Sequence, residues 1–298
     1  MKILLTGKNG QVGYELLNVL SKLGNVLAVG KKDCDLTDRF AIKNLIQSFK
    51  PDVIVNPAAY TEVDKAEEER LVAKSINEIA PGILAEEANK IGSLIIHFST
   101  DYVFDGTKQE GYKEEDETNP LSVYGLTKLG GEIKIKENCN RYIILRTSWV
   151  AGVHGNNFIK KILELAKKQD HLKIINNQFG VPTPAKLLAK LTFHLIGTYI
   201  KNNQNLPFGI YHVTPSGITN WHSYGSFVIE CARQLDNQNL IKVPQNNIIP
   251  VNSSEFFMGA MRPSNSILNT DKLKKTFNYD LPDWKRGVIE IIRKIYNE

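Results

Sequence analysis

The chain has 298 residues, of which 42% are hydrophobic and 23% are charged, and it contains only three cysteines. This composition is typical of an ordinary globular protein and excludes a disordered, collagen-like or disulfide-rich one. Its 37 basic and 32 acidic residues give a net charge of +5 that is spread along the chain, so nucleic acid is not an expected partner. No apolar run is long enough for a signal peptide or a membrane span, and we therefore expect a cytoplasmic protein without a membrane partner.

Short apolar segments alternate with helix-length amphipathic segments through the first half of the chain. This alternation predicts buried parallel strands joined by helices, which is an α/β fold with a doubly wound, Rossmann-like parallel sheet. The predicted strands are Lys2 to Leu5, Asn25 to Val29, Val53 to Val55, Ser93 to Phe98 and Tyr142 to Arg146, and the predicted helices include Val12 to Leu23 and Ile76 to Ile91.

The sequence pattern changes after residue 152, where glycine, asparagine and proline interrupt shorter segments. We therefore predict a dinucleotide-binding domain over residues 1–152 and a smaller, mainly substrate-binding domain over residues 153–298. Segments within about 175–235 are candidates for a return to the first domain. One of them is a strand from Gly209 to Val213.

The first predicted strand runs directly into Gly7-Lys8-Asn9-Gly10-Gln11-Val12-Gly13. In a dinucleotide site one glycine makes the tight turn, the next lets the backbone approach the diphosphate, and the third lets the helix pack close to the strand. Three glycines at the first strand-to-helix turn therefore predict such a site. The candidate cofactor-binding residues of the loop are Gly7, Gly10, Gln11, Val12 and Gly13.

The end of the second strand indicates which dinucleotide is bound. An NAD site usually has an acidic residue there for the ribose diol, whereas Lys31 and Lys32 would attract a 2′-phosphate. We predict NADPH, with NADH as the alternative if Asp33 supplies the acidic group. Asp35 and Leu36 are expected beside the adenine.

Tyr124 and Lys128 are four residues apart and so share one face of a predicted helix, and Ser99 and Thr100 follow the fourth predicted strand. A nearby ammonium lowers the pKa of a phenol, which would make Tyr124 a better proton carrier near neutral pH. Lys128 would also bind the nicotinamide ribose, and Thr100 would hold the substrate oxygen beside the phenol. We therefore predict Thr100, Tyr124 and Lys128 as catalytic residues, with Ser99, Tyr124 and Lys128 also contacting the cofactor.

With these motifs the chain resembles the extended short-chain dehydrogenase/reductases over essentially its whole length. Further segments carry the resemblance: Pro51-Asp52-Val53-Ile54-Val55-Asn56, Val63-Asp64-Lys65-Ala66-Glu67, Ser99-Thr100-Asp101-Tyr102-Val103-Phe104, Arg146-Thr147-Ser148-Trp149-Val150 and Arg262-Pro263-Ser264-Asn265-Ser266. The resemblance implies NADPH-dependent reduction of the 4-keto group of dTDP-4-dehydro-L-rhamnose to dTDP-L-rhamnose, a precursor of cell-surface polysaccharide.

The resemblance also implies roles for individual residues. Tyr124 would donate a proton to O4 of the sugar, and Thr100 would bind the keto oxygen. The residues expected around the ligands are Asp101 and Trp149 beside the sugar, Ala58, Ala59 and Tyr60 along the cofactor, and Asn157 and Arg262 on the nucleotide diphosphate.

Other functions of the same scaffold stay open. A nucleotide-sugar epimerase is one, whereas a dehydratase would lack its glutamate because Tyr102 stands in that position. A regulatory subunit like that of methionine adenosyltransferase keeps most of the same motifs without turnover.

Metal binding has little support in the sequence, because the six histidines show no ligand spacing. In some relatives glutamates bridged by Mg²⁺ hold a dimer together. Glu15 matches one of these glutamates, whereas Lys186 and Lys190 make the corresponding later region basic. The sequence therefore leaves open whether Mg²⁺ is bound and whether the protein is a monomer or a homodimer.

Overall fold

The computed structural model describes residues 1–236, 238–256 and 259–297. The helices are α1 Gln11–Leu20, α2 Arg39–Phe49, α3 Val63–Ala66, α4 Arg70–Lys74, α5 Ala80–Ile91, α6 Val123–Asn138, α7 Phe158–Lys168, α8 Ala185–Lys201, α9 Trp221–Leu235, α10 Asp271–Phe277 and α11 Trp284–Asn297. The strands are β1 Lys2–Leu5, β2 Asn25–Ala28, β3 Val53–Asn56, β4 Leu94–Thr100, β5 Tyr142–Thr147, β6 Val150–Ala151, β7 Leu172–Ile175, β8 Phe179–Gly180, β9 Thr183–Pro184, β10 Gly209–His212, β11 Thr219–Asn220 and β12 Ile248–Val251.

Six of these strands form one parallel sheet in the order β10-β5-β4-β3-β1-β2. The predicted doubly wound α/β fold is confirmed, and the strand predicted from Gly209 does pair with this sheet, beside β5. The predicted fourth strand was placed slightly too early, since β4 begins at Leu94 and continues to Thr100. Because the strand order reverses between β1 and β3, a ligand crevice is expected beyond the carboxyl ends of these two strands.

The helix predicted from Ile76 to Ile91 is instead two elements, a π-helical turn over Ser75–Ile79 followed by α5. Pro81 explains the change, because it has no N–H to donate to the carbonyl of Asn77 and would crowd it in a regular α-helix. Helix α6 packs closely against this turn, since a Cβ on Gly131 would lie 2.2 Å from the carbonyl oxygen of Asn77. The first predicted helix also differs, and α1 ends at Leu20 rather than Leu23.

Successive residues of each strand point to opposite faces of the sheet, and helices cover both faces. Ile3, Leu5 and Val55 belong to an apolar cluster that includes residues of α1 and α8, whereas Leu4 and Ile54 belong to a cluster with residues of α2, α5 and α6. A third cluster joins α7, α9 and α11 with β7 and β12, away from the sheet. Across the ranges that the structure describes, no helix combines the length and apolarity needed to cross a membrane.

Candidate active site

The glycine-rich loop connects β1 to α1 at the crevice. Gly7 has a φ of +60°, and a Cβ there would lie 2.9 Å from Cα of Ala58, so the turn requires glycine. A Cβ on Gly13 would lie 2.0 Å from the carbonyl oxygen of Gly7, which explains the close packing of helix and loop. At Gly10 the nearest such atom is that same oxygen at 3.4 Å, and in the described chain no side chain caps the helix that Gly10 begins. The loop therefore leaves backbone N–H groups and space for a diphosphate.

A second segment of the chain packs against this loop. Nδ2 of Asn157 donates hydrogen bonds to Oε1 of Gln11 (2.9 Å) and to the carbonyl of Gly152 (2.7 Å), and its Oδ1 accepts from the N–H of Lys160 at the start of α7. Asn157 therefore lies beside the cofactor loop, with its amide already bonded within the chain. Its expected role on the nucleotide diphosphate stays a prediction.

Basic side chains gather at the end of β2. Lys31 and Lys32 are exposed, and Lys8 from the glycine-rich loop forms an ion pair with Asp33, with Nζ 2.7 Å from Oδ2. The same carboxylate accepts the N–H of Gly30 at 2.8 Å, and these two contacts hold the pKa of Asp33 below its ordinary value. Asp33 is thus engaged by its own chain, whereas the two exposed lysines face solvent.

The segment after β2 also contains the residues expected near the adenine. Oδ1 of Asp35 accepts hydrogen bonds from the backbone N–H and the hydroxyl of Thr37, both at 2.9 Å. Leu36 is half-buried and packs against the cluster under α2. These contacts fix the course of the chain beyond the second strand.

The loop after β3 lies against the glycine-rich loop. Ala58 meets Gly7, and the N–H of Tyr60 donates to Oδ1 of Asn77 at 2.8 Å. Ala59 lies between them and is half-buried. The hydroxyl of Tyr60 donates to a Glu69 oxygen at 2.8 Å, and desolvation together with this neighbour raises the pKa of Tyr60 to about 12.

The predicted catalytic residues come from β4 and α6. Thr100 is the last residue of β4, and Tyr124 is in the first turn of α6, where the Ser122 hydroxyl caps the helix. The Thr100 hydroxyl donates to Oδ1 of Asp101 at 3.1 Å, and Thr100 lies close enough to Tyr124 to lower the pKa of its phenol. The structure therefore brings the phenol and the threonine together, as predicted.

Burial is the largest influence on Tyr124 and raises its pKa to about 12; Asp101 acts in the same direction, and the Thr100 hydrogen bond opposes it. The net change is therefore opposite to the lowering expected from Lys128, and an effect of that ammonium on the phenol stays a prediction. The Lys128 ammonium instead donates to the carbonyl of Phe98 at 2.6 Å and lies 3.1 Å from Nε2 of His97. Burial also lowers the pKa of Lys128 to about 8.

The sugar-side candidates lie around the start of α6. Asp101 is buried, one of its carboxylate oxygens has no partner among the described residues, and desolvation raises its pKa to about 6. Ser99 is buried as well, and its hydroxyl has no partner within the described part of the chain. Trp149 has a φ of +46° and stacks on Trp221 with ring centroids 3.7 Å apart.

Arg262 reaches the site from the far end of the chain. Its Nη2 donates to Oδ2 of Asp64 at 2.7 Å, and the hydroxyl of Ser264, which follows it, donates to the carbonyl of Gly106 at 2.8 Å. The motif that begins at Arg262 therefore packs along the segment after β4. The charge of the Arg262 guanidinium is partly neutralised by its ion pair with Asp64. Its expected role in binding a diphosphate stays a prediction.

Sequence reasoning missed three buried polar residues. Asn77 joins Tyr60 to Thr127 of α6, with Nδ2 3.2 Å from the Thr127 hydroxyl. Asn56 and His97 are neighbours on β3 and β4 and are hydrogen-bonded to each other. For Asn56 and His97 the signal was a polar residue inside an otherwise apolar strand, which is uncommon unless the group is bonded.

No group of three or more His, Cys, Asp or Glu side chains that could hold a metal ion occurs within the described residues. Glu15, Lys186 and Lys190 line one cavity of about 410 Å³, and Nζ of Lys186 lies 3.0 Å from a Glu290 oxygen. The region of Lys186 and Lys190, for which the sequence left Mg²⁺ binding open, thus contains a lysine–glutamate ion pair.

Comparisons with known proteins identify the family of the chain. Residues 1–297 match the family described as RmlD substrate binding domain. The dTDP-4-dehydrorhamnose reductase of Escherichia coli K12 is 42% identical over 99% of this chain and 98% of its own. Crystal structures of the reductases of Clostridium acetobutylicum (36% identity, 99% of both chains, TM-score 0.89) and of Bacillus anthracis with NADP (32% identity, 98% and 99%, TM-score 0.88) have the same fold. The chain belongs to the RmlD substrate binding domain family, within the extended short-chain dehydrogenase/reductases.

Proposed function

We propose that this protein reduces the 4-keto group of dTDP-4-dehydro-L-rhamnose with NADPH and so forms dTDP-L-rhamnose for polysaccharide synthesis. The observation that carries the proposal is the meeting of Thr100 and Tyr124 at the carboxyl end of β4, with Lys128 one helical turn further. The reductases of the same family, which are named for this substrate, support it.

The glycine-rich loop and the end of β2 fit NADPH. Gly10 leaves the backbone accessible at the uncapped start of α1, and Lys31 and Lys32 are free to meet a 2′-phosphate, since Lys8 is the residue that neutralises Asp33. The relative from Bacillus anthracis was solved with NADP. When bound, the reduced nicotinamide supplies the hydride.

The described side chains can supply the proton that the reduction of the keto group requires. The high pKa of Tyr124 keeps its hydroxyl protonated at neutral pH, so the phenol can give a proton to O4 as the keto oxygen becomes an alkoxide. Thr100 orients that oxygen and Asp101 sets the orientation of Thr100 through their hydrogen bond. Lys128 places an ammonium on the same face of α6 and would stabilise the phenolate that remains, as well as bind the ribose.

The proposed substrate side consists of Asp101, Trp149, Asn157 and Arg262. The two-part organisation with a boundary near residue 152 is part of the proposal, and the separate apolar cluster of α7, α9 and α11 supports it. Helix α8 packs against the sheet and β10 pairs with it, which supports including residues 185–212 in the proposed dinucleotide-binding part. We also propose a cytoplasmic location and a monomer or homodimer.

The decisive experiment mixes purified protein with freshly prepared dTDP-4-dehydro-L-rhamnose and either NADPH or NADH, and follows nicotinamide absorbance. We expect NADPH to be consumed in step with formation of dTDP-L-rhamnose, identified by chromatography and NMR. Epimerised sugar without net oxidation of NADPH, or no turnover of the keto sugar, would contradict the proposal.

A further inference from the structure

Four polar side chains form one buried hydrogen-bonded chain beneath the site. Thr6 contacts Asn56, with 2.5 Å between Oγ1 and Oδ1, and Asn56 contacts His97, with 3.0 Å between Nδ2 and Nδ1. Nε2 of His97 then lies 3.1 Å from Nζ of Lys128. Each of the four residues is at least 98% buried. The chain therefore links the end of β1, next to the glycine-rich loop, to the lysine on α6.

Strand periodicity explains why these groups meet. Each polar residue comes two positions after an apolar residue of the same sheet face: Thr6, directly after β1, follows Leu4, Asn56 on β3 follows Ile54, and His97 on β4 follows Ile95. Asn56 and His97 are also direct partners in the parallel register. The face that packs apolar side chains under α5 and α6 thus ends, toward the ligand crevice, in a layer of polar ones.

Donor and acceptor chemistry fixes the direction of the chain. Burial and the neighbouring Lys128 hold the pKa of His97 well below its ordinary value, so its imidazole is neutral. An ammonium has donors only, so Nε2 of His97 must accept from Lys128 and Nδ1 must carry the proton. If the side-chain amide of Asn56 is turned by 180°, its oxygen accepts a hydrogen bond from Nδ1–H of His97. Its NH₂ group then donates a hydrogen bond to the Thr6 hydroxyl.

We propose that His97 is a positioning residue for Lys128: Asn56 and Thr6 hold its Nδ1–H tautomer, and its Nε2 keeps the lysine charged and in place at neutral pH. The inference rests on the proposed function, because it assigns a task to a residue of that site. The carbonyl of Phe98 takes a second ammonium proton, which leaves the third for the ligand side.

Other charged groups around Lys128 do not replace this contact. Glu132, one turn along α6, raises the pKa of Lys128, but both of its carboxylate oxygens bind Arg146 of β5, at 2.9 and 2.7 Å. Toward the crevice, Asp101 and Tyr124 are engaged with Thr100. His97 is therefore a neutral side-chain acceptor that directly faces the ammonium, beside the backbone carbonyl of Phe98.

The first test compares His97→Leu, which removes the acceptor, with His97→Gln, whose amide oxygen can reach the position of Nε2. Loss of a hydrogen bond to a buried charge favours the neutral amine, so we expect the alkaline limb of the kcat profile of His97→Leu to move to lower pH. At pH 8 its kcat should fall roughly tenfold, whereas His97→Gln should stay within about threefold of the parent. The matched control is His194→Gln, which replaces a half-buried histidine whose ring lies tilted against that of Tyr279, with centroids 5.2 Å apart.

The second test needs no turnover. In ¹⁵N-histidine-labelled protein, the His97 signals, assigned by their loss in His97→Gln, should show the Nδ1–H tautomer at neutral pH. The Nε2 signal should titrate near the pKa of Lys128, about 8, and Lys128→Met should abolish that titration. An Nε2–H tautomer at neutral pH would overturn the inference, and so would an unshifted kcat profile in folded His97→Leu.

The two hypotheses can fail separately. A parent protein without reductase activity contradicts the proposed function, and the NMR titration still decides the role of His97. If His97→Leu does not fold, as judged by circular dichroism, the NMR measurement decides the inference. Parent turnover with an Nε2–H tautomer contradicts the inference alone.

Discussion

Replacing Tyr124 by Phe removes one oxygen atom from the site and leaves the packing around it in place. The ring keeps its edge contact with Tyr102, with centroids 5.5 Å apart. The Thr100 hydroxyl keeps its hydrogen bond to Asp101 and still accepts from the N–H of Tyr102. The change should therefore lower the free energy of unfolding by no more than about 0.5–1.5 kcal/mol, the value of one hydrogen bond.

The expected effect on catalysis is much larger. Tyr124 is protonated at neutral pH because its pKa is raised to about 12, and in the proposed mechanism it is the group that gives a proton to O4. Loss of a positioned general acid typically costs about 10²–10⁴ in rate, or roughly 2.7–5.5 kcal/mol in the activation barrier. Activity should thus fall by at least about a hundredfold while NADPH affinity stays near that of the parent.

Steady-state turnover, NADPH fluorescence titration and urea unfolding measure the three quantities. Tyr211→Phe is a matched control, because it removes a tyrosine hydroxyl that donates to the carbonyl of Pro207 on the far edge of the sheet. We expect that control to keep its activity. If Tyr124→Phe kept kcat within about threefold of the parent, the phenol would not be the proton donor.

Three further outcomes follow from the structure. Lys31→Ala combined with Lys32→Ala should raise the KM for NADPH more than that for NADH, because two exposed ammonium groups near the expected 2′-phosphate are lost. If steady-state kinetics showed an equal rise of both KM values, the two lysines would not recognise the 2′-phosphate. The kcat of the parent should decline as the pH rises through about 8, since the pKa of Lys128 is lowered to about 8 and the ammonium is present only below it; a profile that stays flat well above that pH would argue against this assignment. Glu132→Gln should lower the free energy of unfolding by about 3–5 kcal/mol, because Arg146 stays buried without its counter-charge; a loss under about 1 kcal/mol in urea unfolding would mean that the pair contributes little.

Much of the site could be predicted from local patterns in the sequence. Strand and helix periodicities are properties of short segments, and the carboxyl ends of parallel strands meet at one edge of the sheet. The glycine-rich loop, the end of β4 and the pair Tyr124 and Lys128 were therefore predictable without coordinates. The strand at Gly209 was also a candidate for a return to the sheet, and it does pair with β5.

The partners of those residues could not be predicted in the same way. Asp64 pairs with Arg262 across 198 positions of sequence, and Gln11 meets Asn157 across 146. The sign of the pKa change at Tyr124 was predicted wrongly, because the pattern shows that Lys128 is near but not that burial dominates or that its ammonium turns toward β4. Local sequence determined which groups stand at the crevice, whereas their hydration, partners and charge were decided by packing between distant segments, since desolvation depends on everything that surrounds a group.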